Sequence, residues 1–219
     1  MALGKRLLAL YHLVPKGSVV ADVGCDHGQL SIALIQKHIA KHVYACDLRS
    51  GPLSRAKQAV ELAGLGNAID CRLRNGLDDL PDDVDTIVIA GMGIETIQMI
   101  LESHLEELTK QRIFIIQSNT HPDALRKWIS DHHFTILKED LVQEDRHFYE
   151  IVSFSPTFHA SYSADEILFG IFLPEHALFH SYWKKRLCSY QSILGGLSKD
   201  HEAFDHFQSM IECIENKLS

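Results

Sequence analysis

The sequence predicts an α/β protein with a mostly parallel, seven-stranded sheet, an antiparallel hairpin at the sheet edge and a small helical C-terminal domain. Through about residue 155, short β-branched runs alternate with helical patterns, which is typical of the crossover connections of a parallel sheet. The last two β-rich runs are separated by Gln143–Asp145, which is too short for a crossover helix. From Pro156 onward, apolar residues recur only at helical spacing.

Five β-rich runs should form the parallel part of the sheet. The fourth is almost entirely apolar, as expected for a central strand covered on both faces. The predicted strands are Ser18–Val23, His42–Asp47, Ala68–Leu73, Asp85–Ala90 and Arg112–Gln117. The predicted crossover helices are Leu30–Lys37, Pro52–Ala63 and Pro122–Asp131, two of which start at a proline, a residue favoured in a first helical turn.

The end of the chain departs from this rhythm. Phe134–Leu141 and Arg146–Phe154 should pair as the antiparallel hairpin. We therefore expect an α/β domain over residues 1–157 and a helical, coiled-coil-like domain over residues 158–219. Two helices packed as an antiparallel pair would fit this second domain, with Gly195–Gly196 bending or interrupting the first of them.

Composition limits the possible functions. The 219 residues are 46% hydrophobic and 23% charged, as in an ordinary folded protein, and the net charge of −8 argues against a general electrostatic grip on nucleic acid. The five cysteines form no C-x-x-C pair, which favours reduced thiols and predicts no metal site. No apolar run approaches the ~20 residues that cross a bilayer. The N-terminus has no signal-like apolar core, so we expect a cytoplasmic protein that does not bind membranes, with a monomer favoured.

The loop after the first strand has the features of a ligand site. In open α/β sheets, ligands bind outside the carboxyl ends of the strands. Gly24 and Gly28 leave room for a ligand beside the backbone, but their spacing does not match the dinucleotide fingerprint. Asp22 and Asp26 would repel a pyrophosphate and suit a cationic ligand such as a sulfonium-bearing amino acid. Asp47 ends the second strand, about twenty residues further on, where a carboxylate can accept hydrogen bonds from ribose hydroxyls.

Three later strands also end in small or hydrogen-bonding residues. Asn75–Gly76 follows the third strand and could contact an adenine edge, and Gly91–Gly93 follows the fourth, with Met92 able to cover a ring. Gln117–Thr120 follows the fifth. Together with Asp47 they make four successive strand ends of this kind, which predict a binding site at one edge of the sheet.

Several short blocks, in order from about residue 4 to residue 155, resemble the bacterial tRNA (adenine22-N1)-methyltransferase family of the TrmK type. The resemblance implies a Rossmann-like class I fold that uses S-adenosylmethionine and methylates N1 of adenine 22 in the D-arm of tRNA. The blocks are Asp22–Gly28, Gly51–Pro52 with Ala56, Arg72–Leu77, Ile89–Gly93, Gln117–Asn119 with Leu125–Trp128, and Glu139–Asp145 with Tyr149–Glu150.

The resemblance also implies roles for individual residues. The residues expected to bind the cofactor are Asp22, Gly24, Asp26, Gly28, Asp47, Leu48, Asn75, Gly76, Gly91, Met92 and Gly93. The chemistry of methylation at N1 adds three candidate catalytic residues. Asp26 would stabilise the developing positive charge, His27 would orient the base or take a proton, and Asn119 would hydrogen-bond the base. Three positions depart from the family pattern: Asn75 replaces an Asp, Ile94 a Gly and Ser118 a Pro.

Two alternatives remain open from the residues alone. One is a methyltransferase acting on a small molecule or another RNA, which would suit the acidic net charge. The other is a non-catalytic module that binds S-adenosylmethionine or RNA. A tRNA substrate requires local basic surfaces, and the candidates are Lys5–Arg6, Arg49 with Arg55, Arg126–Lys127 and Lys184–Arg186.

Overall fold

The computed structural model describes residues 3–110 and 112–219. Its strands are β1 Ser18–Val23, β2 Ala40–Asp47, β3 Ile69–Leu73, β4 Thr86–Met92, β5 Ile113–Ser118, β6 Phe134–Glu144 and β7 His147–Phe158. They form a single sheet in the order β3-β2-β1-β4-β5-β7-β6. The first five strands are parallel, whereas β7 runs antiparallel to both β5 and β6. The predicted fold class and hairpin are confirmed.

The helices connect the strands and cover both faces of the sheet. They are α1 Lys5–Leu13, α2 Gln29–Gln36, α3 Ser50–Leu62, α4 Ile94–Glu102, α5 Pro122–Asp131, α6 Ala164–Phe169, α7 Phe179–Gly195 and α8 Phe204–Leu218, with 3₁₀ turns at Leu105–Thr109 and Leu173–Glu175. The sequence patterns predicted α2, α3 and α5 but not α1, α4 or α6. None of the described helices is long and apolar enough to cross a membrane.

The two faces of the sheet bury two apolar layers. Val20, Val88 and Ile115 point to one face with α1, α2 and α3, whereas their neighbours on the strands point to the layer that holds α4 and α5. The strand order reverses between β1 and β4, which are neighbours near the centre of the sheet. At such a switch point the crossover helices diverge and leave a crevice at the carboxyl ends of the strands.

The chain divides into two compact units, the first reaching Leu173 and the second spanning Pro174–Ser219. The first unit extends beyond the predicted boundary at residue 157 because the segment leading into α6 is tied to α5 and β6. The Tyr162 hydroxyl accepts a hydrogen bond from the Ile136 amide of β6 at 2.8 Å. The Tyr162 amide donates to Ser130 Oγ of α5 at 2.9 Å.

The second unit is built from α7 and α8, which pack against each other. Tyr190 and Phe207 lie with ring centroids 5.6 Å apart, and Gln191 donates to Glu215 Oε1 at 3.2 Å. α7 ends at Gly195 and is capped by Gly196, so the glycine pair terminates the helix.

Candidate active site

The loop between β1 and α2 follows a left-handed path that positions its backbone under a cavity. Gly24, Asp26 and Gly28 have φ values of 77°, 47° and 68°. A side chain at Gly24 would meet the Met92 methyl group, which is the end of a flexible side chain and can shift. The Gly24 amide donates to the Cys46 carbonyl at 2.8 Å, which holds the loop against β2. The left-handed φ of position 24 is therefore the reason that it requires glycine.

Asp22 is a buried carboxylate at the end of β1. Its side chain is 6% exposed and accepts a 2.6 Å hydrogen bond from Ser31 Oγ. Burial raises the pKa of Asp22 from 3.8 to about 6, although the hydrogen bonds from Ser31 oppose the shift. Burial destabilises the ionised form of Asp22, and a bound cation or hydrogen-bond donor would stabilise it.

Asp47 ends β2 and is also buried, at 6% exposure. Its Oδ1 accepts from the Arg49 amide at 2.9 Å and its Oδ2 from the Asp26 amide at 3.4 Å. Both oxygens keep a lone pair for a ligand, because a carboxylate can accept up to about four hydrogen bonds. The next residue, Leu48, is 66% exposed at the rim of the cavity.

A cavity of about 430 Å³ at the carboxyl ends of β1 to β4 brings most of the predicted cofactor residues together. Those that line it are Gly24, Asp26, Asp47, Leu48, Asn75, Gly76, Gly91 and Met92. A smaller cavity of about 180 Å³ shares Gly24 and Asp26 with it and adds Asp22 and His27.

The remaining predicted residues lie outside both linings. Gly28 is the cap of α2 and packs on Ala56, and Gly93 is the cap of α4. Asn119 lies just beyond the carboxyl end of β5 and is tied to the backbone of Gly91 and Met92.

The predicted catalytic residues differ in their surroundings. Asp26 is exposed, and its carboxylate lies 3.4 Å from Arg55 and 3.5 Å from His27 Nε2. Asn119 donates from Nδ2 to the Gly91 carbonyl at 2.8 Å and accepts at Oδ1 from Gln117 Nε2 at 3.0 Å. Asn119 is thus held in one orientation, whereas the ion pairs of Asp26 are long and open to solvent.

A bulge in β4 positions the Gly91 carbonyl, which accepts the hydrogen bond from Asn119. The pairing of β4 with β5 shifts register between Ala90 and Met92, and Gly91 has a φ of 79°. The Gly91 amide donates to Gln117 Oε1 at 3.2 Å, while its carbonyl faces Asn119. Ser118, at the position where the family pattern has a proline, donates to the Thr120 carbonyl at 2.5 Å and so supports the same turn.

His104 supports the Asn75–Gly76 loop from below, which the sequence did not indicate. Its ring nitrogens lie 2.6 Å from the Ile100 carbonyl and 2.7 Å from Asp78 Oδ1. A side chain on Gly76 would come within 3.1 Å of the His104 ring, and Gly76 has a φ of 55°. The loop at the end of β3 is therefore shaped by a residue from the turn after α4.

The cavity lining contains cations and a flexible apolar side chain that the motifs did not indicate as ligand contacts. Arg6 reaches it from α1, Arg74 from the end of β3, and Met99 from α4, where it is exposed. Arg6 and Arg49 were expected only as surface contacts for tRNA. Among the described residues, no group of three or more His, Cys, Asp or Glu side chains could hold a metal ion.

Two of the basic clusters predicted from the sequence each contain an arginine that is engaged within the protein, while their lysines, Lys127, Lys184 and Lys185, are exposed. Arg126 is fully buried between Glu139 and Glu150. Arg186 donates to the hydroxyls of Tyr182 and Tyr190 at 2.6 and 2.7 Å. Arg126 is therefore closed to RNA, and the expectation that it contacts RNA is wrong, whereas a contact of the partly exposed Arg186 stays a prediction.

The strand order, the switch between β1 and β4 and the cavity at their carboxyl ends define a Rossmann-like methyltransferase. The sequence matches the family model for tRNA (adenine(22)-N(1))-methyltransferase over residues 20–217, and the chain belongs to that family. The resemblance found in the sequence blocks is confirmed.

Known proteins are similar to this chain over nearly its full length. A tRNA (adenine(22)-N(1))-methyltransferase of Bacillus subtilis is 31% identical over 98% of this chain and 94% of its own length. The structure of M. capricolum TrmK with S-adenosyl-homocysteine has a TM-score of 0.89 and 29% identity, covering 100% of this chain and 98% of that chain. A Streptococcus pneumoniae protein solved with S-adenosyl-L-methionine has a TM-score of 0.91 and 33% identity, covering 100% of both chains.

Proposed function

We propose that this protein transfers a methyl group from S-adenosylmethionine to N1 of adenine 22 in tRNA. The observation that carries the proposal is the 430 Å³ cavity, in which the buried carboxylate of Asp47 and the Gly91–Met92 backbone bound one space. Asn119 is fixed against that backbone. Membership of the tRNA (adenine(22)-N(1))-methyltransferase family supports the choice of substrate.

The residues of the two cavities fit the cofactor. S-adenosylmethionine supplies an electrophilic methyl group on a sulfonium centre. Asp47 would accept hydrogen bonds from the ribose, Asn75 and Gly76 would flank the adenine, and Asp22 would face the cationic amino-acid end. Gly24 brings backbone without a side chain to the lining of both cavities. Gly91, Met92 and Gly93 would border the transferred methyl group.

The catalytic residues would act by position and charge. N1 of adenine has a free lone pair, so no base is needed to create the nucleophile. As N1 is alkylated, positive charge spreads to the exocyclic amine, and Asn119 Oδ1 can accept a hydrogen bond from that amine. Such a bond strengthens as charge develops, so it stabilises the transition state more than the bound substrate. Asp26 would add a negative charge, and His27 would orient the base or the Asp26 carboxylate.

The same proposal includes the protein surface that binds tRNA, the location of the protein and its oligomeric state. Exposed cations that remain for the tRNA backbone are Lys5 on α1, Arg49 and Arg55 at the start of α3 and within it, Lys127 on α5, and Lys184 and Lys185 on α7. In this interpretation the α/β domain holds the cofactor and the helical C-terminal domain contributes to tRNA binding. A cytoplasmic location suits that substrate, and we propose a monomer.

The test of the function is methyl transfer from labelled S-adenosylmethionine to unmodified tRNA transcripts, followed by nucleoside analysis. We expect 1-methyladenosine in a transcript with adenine at position 22 and none when guanine replaces that adenine. Asp26→Asn, measured at saturating S-adenosylmethionine, should lower kcat roughly tenfold for the loss of one charge at the reacting centre. Equal labelling of both transcripts would place the methyl group elsewhere and overturn the position assigned here.

Asp47→Ala should weaken binding of S-adenosylmethionine by roughly ten- to a hundredfold, as expected for the loss of hydrogen bonds to a charged acceptor. Isothermal titration calorimetry measures the affinity, and a thermal melt checks that the variant folds. Asp82→Ala is the matched control because Asp82 is exposed and lies outside the cavity. Unchanged affinity in folded Asp47→Ala would remove Asp47 from the ribose site.

A further inference from the structure

Arg6 connects the N-terminal helix to the hydrogen-bond network that holds Asn119. Its Nη1 donates to Gln117 Oε1 at 2.8 Å, although 111 positions separate the two residues. Gln117 is fully buried at the end of β5. Arg6 also lies over the Tyr149 ring, 5.7 Å from its centroid, which supports the guanidinium from the side of β7. α1 packs against β6 and β7, so the position of Arg6 is set by the fold.

The donors in this network decide which way both side-chain amides face. Arg6 and the Gly91 amide can only donate, and both point to the same atom of Gln117, which must therefore be its oxygen. The Gln117 nitrogen then donates to Asn119, whose facing atom must be Oδ1. Asn119 Nδ2 donates to the Gly91 carbonyl, which can only accept and therefore supports the same orientation. One guanidinium thus helps to set the direction of two successive amides.

We infer that Arg6 is a positioning residue for the methyl acceptor, acting through Gln117 on Asn119. The inference rests on the proposed function, in which Asn119 Oδ1 accepts from the exocyclic amine of the target adenine. If Gln117 rotated by half a turn, its oxygen would face Asn119 Oδ1, and two acceptors would meet. Asn119 would then be held only by its bonds to the Gly91 carbonyl and the Met92 carbonyl, without the donor that fixes Oδ1 for the target amine.

The structure separates this role from a simple contribution of charge. Lys5 precedes Arg6 on the same helix, carries the same charge and is exposed. A loss of long-range attraction to RNA should therefore follow from Lys5→Ala as well as from Arg6→Ala. Of these two cations, Arg6 is the one that donates a hydrogen bond to Gln117. Comparison of these two variants isolates the effect of the hydrogen bond.

The experiment measures kcat, KM for tRNA and the Kd of S-adenosylmethionine for Arg6→Ala, Arg6→Lys, Asn119→Ala and the double variant Arg6→Ala/Asn119→Ala, with Lys5→Ala as the control. For Arg6→Ala we expect kcat to fall roughly tenfold, with KM and Kd changed by less than about twofold, since the loss is one of orientation. Arg6→Lys should recover part of kcat because an ammonium can also donate to Gln117. In the Asn119→Ala background, removal of Arg6 should have almost no further effect.

Side-chain amide NMR signals provide a readout that does not depend on the substrate. The Gln117 and Asn119 NH₂ signals should shift in Arg6→Ala and stay in place in Lys5→Ala. If the wild-type protein methylates no tRNA, the proposed function fails, and these signals still decide whether Arg6 orients the two amides. If the wild type is active but Arg6→Ala changes only KM or Kd, or lowers kcat equally with and without Asn119, the positioning role is wrong.

Discussion

Arg126→Ala is expected to destabilise the protein by about 3–5 kcal/mol, the usual result of removing one partner from a buried ion pair. Arg126 is 0% exposed and donates at 2.5 Å both to Glu139 Oε1 and to Glu150 Oε2. Without the guanidinium, two carboxylates would face each other in the protein interior. Urea denaturation followed by circular dichroism measures the loss as a lower midpoint.

The loss should extend to the segment after α6. Glu139 Oε2 accepts from the amides of Ile171 and Phe172 at 2.6 and 2.8 Å, so Arg126 holds the carboxylate that anchors this turn. Hydrogen exchange at these two amides should accelerate in the variant more than global unfolding explains.

The matched control is Lys127→Ala. Lys127 is the next residue on α5, but it is exposed and pairs with Asp131 at 2.9 Å on the surface, a contact that contributes about 0.5 kcal/mol or less. Replacing all three buried charges, as in Arg126→Met with Glu139→Gln and Glu150→Gln, should recover much of the loss, because no unpaired charge then stays buried. Equal stability of Arg126→Ala and Lys127→Ala would contradict the burial of the charge cluster.

The same pair of residues shows a limit of reading charge from sequence. Arg126 and Lys127 are adjacent, and the sequence presents both as one basic surface. On a helix, neighbouring positions point about 100° apart, so one side chain reaches the interior while the other reaches solvent. The partners that make burial of Arg126 possible are on β6 and β7, which the local sequence does not indicate.

The sheet was predictable because each strand is a local pattern. Ser18–Val23 is a β-branched run followed by a glycine loop, and the structure places β1 there with the same bounds. β4 extends two residues beyond the predicted end, to Met92, and β5 extends one residue beyond it, to Ser118. The bulge at Gly91 lets the two strands stay paired through a segment whose sequence is typical of a loop. α1 was missed because its helix has no acidic first turn and no side-chain cap.

The candidate site was predictable where it consists of strand ends. Gly24, Asp47, Asn75 and Gly91 come together because parallel strands bring their carboxyl ends to one edge of the sheet. Arg6 could be identified only as a surface cation, since its role comes from a contact with a residue on a distant strand. Long-range contacts of this kind depend on how α1 packs, which no periodicity in the chain specifies.

Asp22→Asn should stabilise the cofactor-free protein by about 3 kcal/mol at pH 7, even though it removes a residue of the site. Burial raises the pKa of Asp22 to about 6 in the folded protein, against 3.8 for the ordinary group. Below pH 3.8 both the folded and the unfolded states hold the proton, and the carboxyl costs no stability. Between pH 3.8 and 6 the unfolded state releases its proton first, so stability falls as the pH rises. Above pH 6 the penalty is complete, because both states are ionised.

The pH dependence distinguishes this effect from a general change in packing. The stability difference between Asp22→Asn and the wild type should be about 3 kcal/mol at pH 7 and roughly half of that at pH 5, where most of the folded wild type is still protonated. Asp26→Asn is the matched control, since Asp26 lines the same cavity but is exposed, and its change should stay within about 0.5 kcal/mol. Denaturant titrations at both pH values give the two differences.

Cofactor affinity should move in the opposite direction from stability. The ionised Asp22 is the form that attracts a cationic amino-acid end, so wild-type affinity for S-adenosylmethionine should decline as the pH falls below 6. Asp22→Asn should bind weakly at every pH, with no such decline. An Asp22→Asn variant that binds as the wild type does would show that the Asp22 carboxylate does not contact the cofactor. A stability difference that is the same at pH 5 and pH 7 would show that burial does not destabilise ionised Asp22. The energy that the free protein loses by burying Asp22 ionised would, in this account, be recovered when the cationic ligand arrives.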